Sequence, residues 1–283
     1  MAARFSAGRR TVLATAVAAA LAACGGEQDT DGETRRKGDV GTTYGDDPSQ
    51  YGELLVPDGR PHGVVVVIHG GFWKSAYDLT LGTPLARDLR DRGWVTWNLE
   101  YRRVGDGAGG GGGVPVTLDD VAAGIDHLAA MASAGMLPEE SLQRVVALGH
   151  SAGGHLAAWA GGRRDAEVPL THVVSQAGVL DLVAAAEEHL GSDAVQAFLG
   201  HAPTAADAGA DPMQQLPLAV PVWCVHAPDD DIVPISQSRD YVTRASAAGA
   251  TAELVEVSGG HFGLVETEST AWSRIRAIFD DLR

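Results

Sequence analysis

The chain has 283 residues, 45% of them hydrophobic and only two of them cysteine, and it carries 37 acidic against 21 basic side chains for a net charge of −16. So acidic a chain argues against nucleic-acid partners and polyanionic substrates, whose charge it would repel. Two cysteines supply no disulfide framework, no fixed-period repeat is visible, and the lack of any H-E-x-x-H or paired-cysteine pattern argues against a metal site.

The N-terminus reads as an export signal. Arg4, Arg9 and Arg10 make a basic start, and Thr11 to Ala23 is an alanine-rich apolar run of thirteen residues. A span needs about 20. The run ends in Leu21-Ala22-Ala23-Cys24-Gly25, and small residues there suit a secretory cleavage site. Leu-Ala-Ala-Cys resembles a bacterial lipobox, which implies that residues 1–23 are a signal peptide. It also implies that Cys24 is lipidated, becomes the first mature residue and anchors the exported protein on the extracytoplasmic side of the cell membrane. The Arg9-Arg10 pair fits twin-arginine export and a generic basic leader equally well. Without residues 1–23 the chain keeps 18 basic and 37 acidic residues, a net −19. Gly25 to Asp47 is polar and glycine-rich, too poor in apolar groups to offset its conformational entropy, so 24–47 reads as a lipidated cysteine and disordered tether. Residues 48–283 are ample for one domain.

Within that domain the predicted elements alternate. A strand at 64–68 precedes a helix near 78–92, and a strand at 94–99 precedes a helix beginning near Thr117. Between them, Gly105 to Gly113 holds seven glycines in nine residues and reads as mobile. Thr117-Leu118-Asp119-Asp120 resembles a capping box, which makes Asp119 and Asp120 helix-start charges. A strand at 144–149 runs into a helix-like segment, Gly154 to Ala160. A strand at 171–176 is followed by Asp181 and a short helix, then by an alanine-rich stretch, 183–215, that reads as a small cap. Strands at 220–226 and 252–257 and a last helix from about Glu266 to Leu282 complete the series. This order predicts an α/β fold, a mostly parallel central sheet with helices on both faces, whose ligand sits beyond the carboxyl ends of the strands. Cys224 falls in a buried strand and reads as a small core hydrophobe.

Four motifs lie at those ends. Gly149-His150-Ser151-Ala152-Gly153 is G-x-S-x-G between strand and helix, a sharp turn that lifts the Ser151 hydroxyl clear of the sheet. Gly149 and Gly153 lack the Cβ that would clash there. After the β-branched run Val64 to Ile68 comes His69-Gly70-Gly71-Phe72-Trp73. Gly70 shapes this turn, and Gly71 and Phe72 offer backbone N–H groups to a developing oxyanion; the N–H of Ala152 is the further donor. His69 reads as structural. Downstream, Asp229-Asp230-Asp231 ends a strand, and the D-x-x-V-P spacing selects Asp230 to orient an imidazole, leaving Asp229 and Asp231 as loop-capping or solvated charges. His261, on the glycine-flanked loop Ser258 to Gly263, is the base. Trp73, Tyr101 and Leu182 are candidate pocket walls, though core packing explains each as well.

The order Ser151, Asp230, His261 and the four motifs together resemble the α/β-hydrolase superfamily over residues 44–283. His69-Gly70-Gly71-Phe72-Trp73, with Tyr44-Gly45, Pro48, Gln50 and Leu54-Leu55-Val56-Pro57, resembles its esterase and kynurenine-formamidase-like branch. Some members of that branch resemble the catalytic domain of prolyl oligopeptidases. The present chain has no room for their large N-terminal propeller, and Ala227 stands where their H-G-x-x-D has glycine. The resemblance implies Ser151 as nucleophile, Asp230 as acid and His261 as base, with Gly71, Phe72 and Ala152 lining an oxyanion hole. The expected activity is cleavage of small-molecule carboxylic esters with small or medium acyl groups, without a cofactor. Alternatives are an amide hydrolase, peptidase or arylformamidase-like, and a non-catalytic surface-binding protein on the same fold.

Overall fold

Val64–Ile68 is a run of β-branched residues, every one of them buried. Such a run suits a strand covered on both faces, and in the computed structural model, which describes residues 40–283, it lies near the middle of the sheet. The strands are β1 (Val40–Thr43), β2 (Tyr51–Leu55), β3 (Val64–Ile68), β4 (Val95–Leu99), β5 (Val145–His150), β6 (His172–Gln176), β7 (Val222–His226) and β8 (Ala252–Glu256). Among the described residues they form one sheet in the order β1-β2-β4-β3-β5-β6-β7-β8. β1 and β2 pair antiparallel, β2 runs antiparallel to β4, and the rest of the sheet is parallel. The fold is the α/β-hydrolase fold.

Side chains alternate along each strand and divide the core in two. Val65, Val67, Val146 and Leu148 face α1 (Thr83–Asp91) and α7 (Thr270–Asp281), which bury Leu85, Leu89, Trp272, Ile275 and Phe279. Asp88 joins these helices, accepting from Trp272 Nε1 at 2.9 Å and from Arg276 Nη2 at 2.6 Å. Val64, Val66, Ile68, Trp97 and Ala147 face the other way. There they meet α2 (Val116–Ser133), α3 (Ala152–Gly161) and α6 (Ser236–Ala247). Among the described residues no helix is long and apolar enough to cross a membrane.

Between β6 and β7, residues 183–215 hold most of α4 (Leu182–Glu187), all of α5 (Ala194–Leu199) and a 3-10 turn at Ala205–Gly209. This insertion packs on the turn after β3. Lys74 Nζ donates to the Gly191 carbonyl at 3.2 Å, and a side chain on Gly191 would strike the Phe72 ring.

The structure departs from the sequence reading in several places. The signal peptide, Cys24 and the tether up to residue 39 lie outside the described residues, but Val40–Thr43, read as tether, is strand β1. Its four residues are too short a run, next to a glycine-rich polar stretch, to announce a strand, and its pairing with β2 supplies what composition does not. The helix expected at 78–92 is a 3-10 turn, Leu79–Leu81, capped by Asp78, followed by α1. The last helix starts at Thr270, where the Ser269 hydroxyl accepts the N–H of Trp272 at 2.9 Å. Thr117-Leu118-Asp119-Asp120 is not a capping box. α2 starts one residue earlier, after Pro115, and the Thr117 hydroxyl donates to the Arg102 carbonyl at 2.7 Å.

Asp120 instead turns inward. It accepts from Arg102 Nη2 at 2.6 Å, Arg102 Nε at 2.8 Å, the Arg102 N–H at 3.0 Å and Gln50 Nε2 at 2.7 Å. The glycine loop is also more tied than its composition implies. Gly105, Gly107, Gly109, Gly111 and Gly113 take positive φ, and Arg103 anchors the loop through Arg103 N–H to Gly109 O and Gly112 N–H to Arg103 O, both at 2.7 Å.

Asp120→Ala removes the buried carboxylate that Arg102 and Gln50 both bond, so it is expected to cost about 2 kcal/mol. Asp119→Ala, at an exposed position one residue away, is expected to leave stability nearly unchanged. Urea unfolding of the two variants checks this; equal losses would contradict the buried role of Asp120.

Candidate active site

β5 delivers its last residue to a turn with very little room. Ser151 takes φ 56° and ψ −119° between β5 and α3. Its N–H donates to the Gln176 carbonyl at 2.8 Å, and its carbonyl accepts from the His155 N–H at 3.1 Å. A Cβ on Gly149 would strike the Gly153 carbonyl, and one on Gly153 would strike the Ile68 carbonyl. Those two glycines let the elbow close against β3.

The turn after β3 lies against that elbow. A Cβ on Gly70 would sit 2.7 Å from the His150 carbonyl oxygen and 3.2 Å from Ser151 Cβ. Gly71, Phe72 and Trp73 follow with φ of 108°, 54° and 54°. Two consecutive non-glycine residues in the left-handed region are strained, of order 1–3 kcal/mol each, and surrounding contacts must hold them. Lys74 N–H closes the turn onto the Gly71 carbonyl at 2.9 Å, and Trp73 stacks on Phe198 with ring centroids 4.7 Å apart. Trp73 Nε1 also donates to His155 Nδ1 at 3.3 Å. The N–H groups of Gly71, Phe72 and Ala152 have no acceptor among the described residues.

Behind the turn stands a buried ionic cluster that motif reading missed. His69 Nδ1 donates to the Gly70 carbonyl at 2.8 Å, and the ring stacks on Tyr101 at 4.5 Å. Tyr101 in turn donates its hydroxyl to the His69 carbonyl at 2.7 Å. His69 Nε2 faces Glu100 at 3.2 Å, and Glu100 pairs with Arg103 while accepting from the N–H groups of Leu79 and Tyr101 at 2.9 Å each. Burial pushes the His69 ring down to about 3, so it stays neutral. This is the structural role expected of His69. Glu100 carried only one sequence signal, a charge at the carboxyl end of a buried strand.

The acidic loop after β7 and the histidine loop after β8 meet at one carboxylate. Asp230 Oδ2 accepts from His261 Nδ1 at 2.8 Å, and Oδ1 accepts from the N–H groups of Ile232 and Val233 at 2.9 Å each. His226 Nε2 lies 3.3 Å from Oδ2. Burial pushes the Asp230 carboxyl up, but hydrogen bonds from His226, His261, Val233 and Ile232 outweigh it and hold the group well below the usual carboxylate range. Asp229 does not reach His261; it accepts the Gly260 N–H at 3.3 Å and ties the two loops together. His150 is the variable residue of G-x-S-x-G. Its Nε2 donates to the His261 carbonyl at 2.9 Å, and the two rings pack 4.5 Å apart, beside Ser151. Burial first, and the neighbouring His261 second, push the His150 ring down to about 3.

The three candidate wall residues are core residues. Trp73 and Tyr101 are 0% exposed and Leu182 is 1% exposed. Their apolar surface is consumed by Phe198, His69 and the inserted helices, so none faces solvent at the site. Exposed apolar side chains there are instead Tyr77, packed on Gly71, and Leu81 and Phe262, which line a small cavity with Gly70, His150 and Gln176.

The BD-FAE family model matches residues 55–244 of the chain. No curated protein sequence matches it. Among solved structures it is similar to a "truncated form of carbohydrate esterase from gut microbiota" (18% identity, 86% of this chain and 94% of that one, TM-score 0.69). It is also similar to a thermophilic esterase, Est2, of Thermogutta terrifontis (22% identity, 86% and 91%, TM-score 0.68). A further structure of T. terrifontis esterase 2, phosphonylated by sarin, aligns at 21% identity over 88% of this chain and 95% of that one, with a TM-score of 0.70. At these identities the likeness is one of fold.

The depressed Asp230 carboxyl has a consequence for acid stability. A carboxylate favoured in the folded state contributes stability at pH above its unfolded value, about 3.9, and loses it as pH falls toward the folded one. The gap in unfolding free energy between the wild type and Asp230→Asn is therefore expected to be widest above about pH 5 and to narrow below pH 4. Urea titrations across that range measure it, and a gap independent of pH would contradict the shift.

Proposed function

Because the chain belongs to the BD-FAE family, an α/β-hydrolase-type esterase family, we propose that it is a serine esterase that cleaves carboxylic esters through an acyl-enzyme. The observation that carries this reading is the 2.8 Å bond between His261 Nδ1 and Asp230, beside the elbow that holds Ser151. With its Nδ1 proton committed to Asp230, His261 keeps the Nε2 lone pair for a hydroxyl proton.

In the proposed reaction Ser151 Oγ bonds to the ester carbonyl carbon as its proton passes to His261 Nε2. The carbonyl electron pair moves onto oxygen, which the N–H groups of Gly71, Phe72 and Ala152 receive. Collapse breaks the bond to the alcohol oxygen, and the His261 proton leaves with the alcohol. Water then repeats the sequence on the acyl-enzyme, returning the acid and free Ser151. Asp230 stays ionised throughout, fixing the imidazole tautomer and stabilising its cation. Three observations support a serine esterase. The oxyanion donors have no competing acceptor among the described residues. Tyr77 beside Gly71 and Phe262 beside His261 expose apolar surface next to the proposed catalytic groups. The similar T. terrifontis esterase 2 is phosphonylated by sarin.

We also propose, from the sequence of the leader, that the enzyme is exported and anchored through a lipid on Cys24. In a bacterial host, labelled palmitate is expected to mark the wild type and not Cys24→Ser, which would appear in the soluble fraction; equal labelling or partition of the two would sink the anchor.

Ser151→Ala is expected to lower kcat/KM on p-nitrophenyl acetate and butyrate by a factor on the order of 10⁴ or more and to abolish labelling by a fluorophosphonate probe. Equal labelling of wild type and variant, or none of either, would overturn the serine mechanism. Peptide anilides run beside the esters test the amide alternative, and faster turnover of the anilides would replace the ester reading.

A further inference from the structure

The second histidine on Asp230 has no part in the four motifs. His226 closes β7, and its side chain and that of Asp230 are both 0% exposed. Its Nε2 lies 2.9 Å from the Val233 carbonyl oxygen and 3.3 Å from Asp230 Oδ2. Both neighbours are acceptors, so Nε2 must carry a hydrogen. In the neutral ring Nδ1 is then the acceptor, and it faces the hydroxyl of Ser238, a fully buried residue of α6, at 2.7 Å. The Ser238 hydroxyl donates to that lone pair from behind and makes the Nε2–H a stronger donor. Val233 closes a ring, since it gives its N–H to Asp230 Oδ1 and its carbonyl to His226.

We propose that His226 is a positioning residue that shares the Asp230 carboxylate with His261 and so tempers the basicity of His261 in the esterase reaction. The proposal rests on the triad reading above. His261 Nδ1–H donates to Oδ2 at 2.8 Å, while the His226 Nε2–H, bonded to the Val233 carbonyl, lies 3.3 Å from the same oxygen and competes with His261 for its charge. With His226 present, part of the Oδ2 charge is spent away from His261. Without it, His261 Nδ1–H faces a stronger acceptor and the imidazolium is better stabilised. His261 then holds its proton to higher pH, and fewer molecules have the free base at a given pH.

The charged and titratable groups around this pair are few. His150, from β5, packs on His261 and is kept neutral by burial across the working range. Asp229 and Asp231 flank Asp230 in the loop, the former bonded to Gly260 N–H. His226 comes from β7 and Ser238 from α6. None of the others brings an N–H to Oδ2; removing His226 also frees the Val233 carbonyl, which is why the glutamine variant is the control.

The test compares His226→Leu, which removes the donor, with His226→Gln, whose Nε2 reaches nearly the same point. Ser238→Ala takes the donor from His226 Nδ1 and so weakens its Nε2–H toward Asp230 with less disturbance, and it serves if the leucine variant does not fold. In the full-length enzyme, the acid limb of the kcat/KM pH profile on p-nitrophenyl acetate is expected to move up by about half a pH unit or more in His226→Leu. It is expected to move up by less in Ser238→Ala and to stay at the wild-type position in His226→Gln. The downfield proton resonance of the His261 Nδ1–H···Asp230 bond is expected to move further downfield in the same order. That resonance is read without turnover, so it decides the point even if the ester reading fails. A fixed acid limb and a fixed resonance in folded His226→Leu, or in Ser238→Ala should the leucine variant not fold, would overturn the proposal. So would loss of kcat by the same factor in His226→Leu and His226→Gln with no change in pH profile, the mark of a purely structural residue.

Discussion

A carboxylate taken out of water survives in a protein only if hydrogen bonds replace its hydration, and the site depends on how Asp230 meets that demand. Two backbone N–H groups on one oxygen and two imidazoles about the other leave it little freedom to turn. The backbone donors come from its own loop and are fixed by local geometry. The imidazoles come from the end of β7 and from the loop after β8, and they meet only because those strands are parallel neighbours in register. The charge and the sheet are thus mutually dependent: the strands bring the donors, and the carboxylate ties their loops together.

The elbow and the turn after β3 obey a different constraint, one of space. β3 and β5 are adjacent and in register, with Ile68 opposite Gly149. Their exits are so close that side chains at Gly70, Gly149 or Gly153 would collide with backbone. Closeness of this kind leaves Phe72 and Trp73 in strained conformations, and the structure offsets that strain from behind. The stack of His69 on Tyr101, the Glu100–Arg103 pair and the packing of Trp73 on Phe198 all bear on the same few residues. The inserted segment between β6 and β7 shares in this, because Phe198 and Gly191 belong to it. What reads as a cap over the site is also part of the support beneath it.

On the far side of the sheet the β1–β2 hairpin is joined to the same system. Tyr44 donates its hydroxyl to the Glu100 carbonyl at 2.6 Å, and Gln50 reaches the buried carboxylate of Asp120. Asp120 grips Arg102, which adjoins Arg103, and Arg103 anchors the glycine loop. Residues 100–103 therefore connect hairpin, helix α2, glycine loop and the turn after β3. A lead-in segment that looks dispensable in the sequence is bonded to the stretch that backs the turn.

Much of this was legible in the sequence, for local physical reasons. β-branched runs specify buried strands wherever they occur. Glycines flanking Ser151 and following His69 announce tight turns, and the D-x-x-V-P spacing singles out Asp230, whose acceptors are filled by N–H groups two and three residues on. What the sequence left undecided depends on partners distant along the chain. Asp119 and Asp120 look alike as neighbours in a helix start, and only the fold turns one to solvent and the other to Arg102. Val40–Thr43 is a strand because β2 pairs with it. Trp73, Tyr101 and Leu182 had the chemistry of a pocket wall, and close packing made them core. His150, His226 and Glu100 stand next to the motifs in sequence, but their roles come from His261, Asp230 and His69 across the fold. Periodicity and turn chemistry are properties of a short stretch of chain, whereas the partner of a buried polar group is a property of the whole.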